Sequence, residues 1–168
     1  MFFNLTLIKL VSSVVIISIM SACSDGIEIE KNALAGANHL TVYKKTNCKC
    51  CNKWIHHMRD NGFNITSHNQ SNLSDIKEKY GIQPRLRSCH TSVSKDGFVF
   101  EGHIPAKFVQ KFLDEKPEGA KGLTVPAMPT GTPGMEFGDM LQPYKIYLLK
   151  VDGTLEIYAE VNSAEEQS

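Results

Sequence analysis

The chain has neither a net charge nor a recognisable catalytic signature. Lysine plus arginine and aspartate plus glutamate each number 18, so no basic excess exists to hold a phosphate backbone or an anionic membrane surface. Nucleic acid is therefore not expected as a partner. There is no glycine-rich phosphate loop, no H-E-x-x-H pattern and no serine in a nucleophile elbow. Glu101-Gly-His103 could be imagined as an acid and a base, but alternation along a strand accounts for it. The apolar run Leu10 to Met20 is too short to span a bilayer, which takes about 20 residues. No internal repeat is evident. An apolar fraction of 42% in 168 residues suits one domain with appendages.

What is present begins with that short run. Lys9 is the only charged residue among the first 22, and the pattern reads as the h-region of a signal peptide over residues 1–22. Met20-Ser21-Ala22-Cys23 resembles a lipobox, which would place a lipid on Cys23. The alternative is ordinary cleavage nearby, with Cys23 incidental. Either route puts the mature domain outside the cytosol, in the periplasm. Ser24 after the lipid site favours the outer membrane by the enterobacterial sorting rule, with the lipid as the only membrane contact. Residues 23–38 read as a flexible tether, 39–161 as the folded domain and 162–168 as a disordered tail.

Within the domain, His39 to Lys44 alternates and is rich in β-formers. Thr46 and Asn47 are N-cap candidates for a helix from Cys48 to Asn61, which Gly62 ends. Cys48, Cys51, Ile55 and Met58, flanked by Trp54, make one inward stripe. A second strand is expected at Phe63 to Ser67, and a second helix at Leu73 to Tyr80 between Asn72 and Gly81. Thr91 to Ser94 and Gly97 to His103 read as an antiparallel pair, followed by a helix from Pro105 to Leu113. This element order is that of an α/β, thioredoxin-like fold, a mixed sheet with flanking helices. Gly122 to Gly138 reads as a Gly/Pro/Met-rich loop over the site, and Tyr144 to Val161 as an extra C-terminal β-hairpin turning at Asp152-Gly153.

The chemistry concentrates in Cys48, Cys50, Cys51 and Cys89. The first three open a helix, whose free amides and dipole favour thiolate, the metal-binding form. Cys50 is turned about 200° from Cys48 in a regular helix, so it needs a non-helical backbone or serves a second metal. Cys89 enters the third strand, where a thioredoxin-like domain would make it face Cys48 and Cys51. Soft sulfurs select copper(I), zinc or iron–sulfur. Three cysteines within four residues suit a bridged, multinuclear copper(I) cluster better than a tetrahedral zinc. Two readings compete. The cysteines could form structural disulfides, for example Cys48 to Cys51 and Cys50 to Cys89, or Cys48 and Cys51 could be a C-x-x-C redox pair.

Met128 and Met135 offer thioether ligands from the loop, against the commoner role of gap-filling hydrophobe; Met140 stays open and Met58 belongs to the core. His90 and His103 could each approach the sulfurs. His56 and His57 read as surface residues, and His39 and His68 offer no argument.

Several segments taken together resemble a known family: Tyr43 to Trp54 with its Cys48-Lys-Cys50-Cys51, Pro84 with Ser88-Cys89-His90-Thr91, Glu101-Gly-His103-Ile-Pro105, Gly122 to Pro129, and Gly131 to Glu136. These resemble the CopG-like periplasmic metal-binding proteins, long described as a domain of unknown function, from about Leu40 to Tyr158. The resemblance implies a thioredoxin-like fold, an envelope location, copper binding through Cys48, Cys50, Cys51 and Cys89, and a part in copper resistance. It extends to Met128, Met135 and His103. Many relatives carry C-G-C-C-G, whereas Lys49 and Asn52 stand here, which bears on metal stoichiometry. The leading expectation is a non-enzymatic copper(I) binder that sequesters copper in the periplasm or passes it on, with other envelope copper-handling proteins as candidate partners. A copper-linked oxidoreductase and a disulfide-stapled interaction domain are the alternatives.

Overall fold

The computed structural model describes residues 38–168; the expected signal peptide, Cys23 and nearly all of the expected tether lie outside the described residues. Strands β1 (His39–Lys44), β2 (Asn64–Asn69), β3 (His90–Ser94), β4 (Val99–Glu101), β5 (Ala120–Thr124), β6 (Tyr144–Lys150) and β7 (Leu155–Val161) form one mixed sheet in the order β2-β1-β3-β4-β5-β6-β7. Helices α1 (Lys49–Asp60), α2 (Leu73–Lys79) and α3 (Ala106–Glu115) cover it. Among the described residues no helix is long and apolar enough to cross a membrane.

The α/β class and the element order agree with the expectation from sequence. Two pairs are parallel, β1 with β2 and β4 with β5, and the chain between them crosses over through α1 and α3, as parallel neighbours require. Adjacent residues of one strand serve opposite faces. Phe100 joins the large cluster that Trp54, Ile55 and Met58 of α1 and Val109 and Phe112 of α3 enter. Its neighbour Val99 joins Ile82, Leu86 and Leu149 on the other side. Central strand β3 is accordingly buried along its whole length, as expected of a strand covered on both faces. Edge-to-face packing of Phe112 with Phe98 and Phe100, at 5.1 and 5.4 Å between centroids, closes the larger core. Such pairs add about 0.5–1.5 kcal/mol each beyond their buried area.

Three differences from the sequence reading have physical causes. The sheet gains three strands beyond β4 rather than two, because Ala120 to Thr124 pairs with β4 and β6. Its Gly122, at φ +153°, lies so close to Val99 that a Cβ would collide with the backbone. Glycine is a poor strand former, and here the close approach of the neighbouring strand selects it. Residues 84–86 form a 3₁₀ turn that carries Leu86 into the second cluster. The end of the chain, expected to be disordered, forms a 3₁₀ turn at Glu165–Gln167. Gln167 accepts from the Tyr144 hydroxyl at 2.8 Å and donates to the Gly131 carbonyl at 2.9 Å, partners that adjacent sequence does not reveal.

Candidate metal centre

β1 delivers the chain to Lys44, and α1 begins five residues later. Cys48 is the N-cap, with extended backbone at φ −75° and ψ 94°, and its Sγ accepts from the Cys51 amide at 3.3 Å. A sulfur here replaces the usual hydroxyl or carboxylate of an N-cap. Because Cys48 stands outside the helical spiral, its Sγ reaches both neighbours, bonding to Cys51 and lying 3.4 Å from Cys50 Sγ. Cys50 itself lies within the helix, and it is the extended backbone of Cys48 that brings the two sulfurs together.

Cys89 arrives by strand register. β3 runs antiparallel to β1, and Lys44 pairs with His90, so the residue before His90 must lie beside the loop that leaves Lys44. Cys89 Sγ is 3.3 Å from Cys51 Sγ and 3.9 Å from Cys50 Sγ. The four sulfurs all lie within 4.8 Å of one another. Cys48 and Cys51 are joined by a disulfide, with Cα atoms 5.3 Å apart, while Cys50 and Cys89 are free. Only the first bridge of the two-disulfide arrangement is therefore present.

The same register brings two histidines. Thr91 pairs with Glu101, which carries His103 back toward the start of β3. His103 Nε2 lies 2.9 Å from Cys89 Sγ, and Nδ1 donates to the Pro133 carbonyl at 2.7 Å. That donation places the proton on Nδ1 and turns the Nε2 lone pair toward the sulfur. His90 Nδ1 is 3.3 Å from the same sulfur. Its Nε2 is buried without a hydrogen-bond partner among the described residues, and its ring packs against Trp54 at 4.3 Å between centroids, tilted by 44°. Cys89, His90 and His103 form a second donor group that shares Cys89 with the first. Burial, followed by the nearness of Cys50, pushes the Cys89 thiol up to about 12, against a smaller lowering by Lys77. Burial likewise holds His90 well below its ordinary value, followed by the nearby His103, and burial lowers His103. Without metal, the geometry suits a neutral thiol donating to a neutral imidazole.

Beneath this site is a buried polar network that the sequence did not disclose. Glu101, fully buried, accepts from Lys77 Nζ at 2.5 Å, from Thr91 Oγ1 at 2.6 Å and from the Ser88 amide at 2.6 Å. Lys77 also donates to Thr91 Oγ1 at 3.1 Å. Burial raises the Glu101 pKa, with Lys77, Thr91 and the Ser88 amide opposing it. The network ties the residue before Cys89 to β4 and α2. Strand alternation had suggested no role for Glu101, whereas burial of a charge demands a partner.

The covering loop packs directly on the cysteine helix. Gly134, at φ +89°, is so close that a Cβ would stand 2.6 Å from the Cys50 carbonyl and 2.8 Å from the Trp54 amide. Met135 and Met140 line an open cavity of about 490 Å³ together with Cys50 and Phe137. Met128 is 47% exposed and lines neither this cavity nor the one beside Cys48 and Cys89. His57, read as a surface residue, is partly buried and accepts from the Ala106 amide at 3.0 Å, capping α3.

Two solved structures resemble the chain, Form 1 and Form 2 of a protein described as "Copper resistance protein copG". Each is 37% identical, aligns over 74% of this chain and 98% of its own, and has a TM-score of 0.70. The chain belongs to the CopG-like copper-resistance family. The family model described as "Protein of unknown function, DUF411" matches residues 86–135, a span that holds Cys89, His90, His103, Met128 and Met135 but not the C-x-C-C segment. No curated protein sequence matches the chain. The donor set of this CopG-like protein, four clustered sulfurs with imidazole nitrogens at one edge, has the soft character that copper(I) favours.

Proposed function

We propose that this CopG-like protein binds copper(I) as cargo in the cell envelope and acts in copper sequestration, handling or resistance. Cys48, Cys50, Cys51 and Cys89 would be the principal ligands, with His103, Met135 and Met128 contributing. The observation that carries the reading is the convergence of four sulfurs within 4.8 Å, drawn from one helix start and one strand entry. Thiolates so close can bridge more than one copper(I). The copper-resistance description of both solved relatives supports the choice of metal. Because ligands must be free and deprotonated, the Cys48–Cys51 disulfide has to be reduced before all four can bind. The envelope location rests on residues 1–22 and Cys23, and other envelope copper-handling proteins are the natural recipients.

A thioredoxin-like core belongs to the same reading. Its support is the order β2-β1-β3-β4, with β1 parallel to β2 and β3 antiparallel to both β1 and β4. Cys48, Cys50 and Cys51 stand at the first strand-to-helix junction of that core, and Cys89 at the entry to β3.

The test is anaerobic titration of the reduced protein with copper(I) against a competing chelator. One or more coppers per chain, with binding sharply weakened in Cys89→Ser, is the expected result. Unchanged affinity in that variant would remove Cys89 from the site. A second reading, a thiol–disulfide or copper-linked oxidoreductase, is favoured by the Cys48–Cys51 disulfide lying 3.3 Å from the free Cys89 sulfur. A protein that exchanges no electrons across the compartment's redox range would sink it.

A further inference from the structure

Beside the sulfur cluster, separate from the cavity that Met135 and Met140 line, lies a second cavity of about 400 Å³. Lys45, Lys77 and Arg87 line it, Cys48 and Cys89 open onto it, and no carboxylate belongs to its lining. Lys77 spends its charge on Glu101. Lys45 is exposed and has no carboxylate partner among the described residues. Arg87 Nε is held by the Ile82 carbonyl at 3.2 Å, and its guanidinium reaches Glu78 only at 3.5 Å. An entering molecule therefore meets one cation without a carboxylate partner among the described residues, Lys45, and a second, Arg87, whose ion pair with the exposed Glu78 is screened by solvent.

The two sulfurs of the disulfide differ in access. Cys51 is fully buried, whereas Cys48 is partly exposed and forms part of the cavity wall. A nucleophile in the cavity can reach Cys48 and not its partner. The volume falls in the range of small-molecule sites, about 300–1,000 Å³.

We propose that this cavity receives a small anionic thiol, which reduces the Cys48–Cys51 disulfide and thereby frees the copper ligands. The inference rests on the copper(I) reading, because it supplies the step that makes four thiolates available. The thiolate forms a bond to Cys48 Sγ while the Cys48–Cys51 bond breaks, and Cys51 leaves as thiolate. A second thiolate attacks the small-molecule sulfur of the mixed disulfide and departs as the symmetrical disulfide, releasing Cys48. Two thiols lose two electrons, which the protein disulfide gains, and their protons pass to the two cysteines or to water. Lys45 and Arg87 raise the local concentration of an anion, as clefts lined by one sign of charge do.

The test reduces the oxidised, metal-free protein with three small thiols: mercaptoethanesulfonate, which is anionic, 2-mercaptoethanol, which is neutral, and cysteamine, which is cationic. Free thiols are counted over time, and rates are compared per thiolate after correction for thiol basicity. The sulfonate should react about tenfold faster than the neutral thiol, and cysteamine more slowly than both. The gap should close at high salt and in Lys45→Ala/Arg87→Ala, with Lys45→Glu as a second variant should the pair impair folding. Equal rates in the unaltered protein, or a preference that survives both variants, would overturn the proposal, as would four free thiols before any reductant is added. Copper titration of the chemically reduced, unaltered protein runs alongside. Normal binding without charge preference defeats this inference alone, whereas no binding defeats the copper reading whatever the rates.

Discussion

His103 Nε2 stands 2.9 Å from Cys89 Sγ while the Pro133 carbonyl holds its Nδ1 proton at 2.7 Å. One imidazole thus joins the covering loop to the sulfur cluster and keeps its acceptor nitrogen turned inward. His103→Ala should weaken copper(I) binding by about 10- to 100-fold, the range seen when groups that orient or complete a metal site are removed. Competition titration measures this, and fluorescence of Trp54, the one tryptophan of the chain, provides a second readout. Affinity within twofold of the parent protein would make His103 a structural residue.

Gly134 is the other point where the loop meets the cysteine helix. Gly134→Ala should cost about 2 kcal/mol or more, because the Cβ would stand 2.6 Å from the Cys50 carbonyl and neither backbone can yield freely. The positive φ adds strain of its own. Denaturant melts of the metal-free protein test this, and Gly138→Ala provides a control, since a Cβ there meets nothing within 4 Å although its φ is also positive.

The Lys77–Glu101 pair should behave as a buried ion pair. Lys77→Met alone should destabilise the fold by about 3–5 kcal/mol, because Glu101 is left charged and unpaired in the interior. Lys77→Met combined with Glu101→Leu should cost less than the sum of the single changes. A double-mutant cycle in denaturant measures that coupling, and additive losses would show that the two residues do not depend on each other.

Stability of the metal-free protein should fall with pH below about 6.5. His57, His90 and His103 all have folded pKa values lowered from 6.5, with burial the largest cause in each. Between the folded value and 6.5 the unfolded chain binds more protons, so acid favours unfolding, and above 6.5 the penalty vanishes. His57→Gln keeps an acceptor for the Ala106 amide but cannot titrate there. Melting temperatures from pH 7.5 to 5 should therefore fall less steeply in this variant, and identical slopes would exclude His57.

Much of this was readable from sequence because neighbours in the chain decide it. Strand His39–Lys44 was expected with its observed bounds, Asn72 caps α2 as expected, and Asp152-Gly153 turns the last hairpin. Alternation, capping and turn chemistry act over a few residues, so their signals survive without the fold. The cysteine motif was equally plain, since C-x-C-C at a helix start is a local pattern.

What only the tertiary structure decided was partnership across distance. The register of β1 against β3 brings Cys89 to the helix start, and that of β3 against β4 brings His103 to Cys89. Glu101 looked like an unremarkable strand residue until burial supplied Lys77, and His57 looked exposed until Ala106 came to it. Strand β5 was hidden by Gly122, whose value as a strand residue comes from the neighbour it must approach. Sequence determined which groups the chain could present, because composition and local pattern are written residue by residue. Folding decided which of them meet, because register, burial and close approach depend on segments that are far apart along the chain.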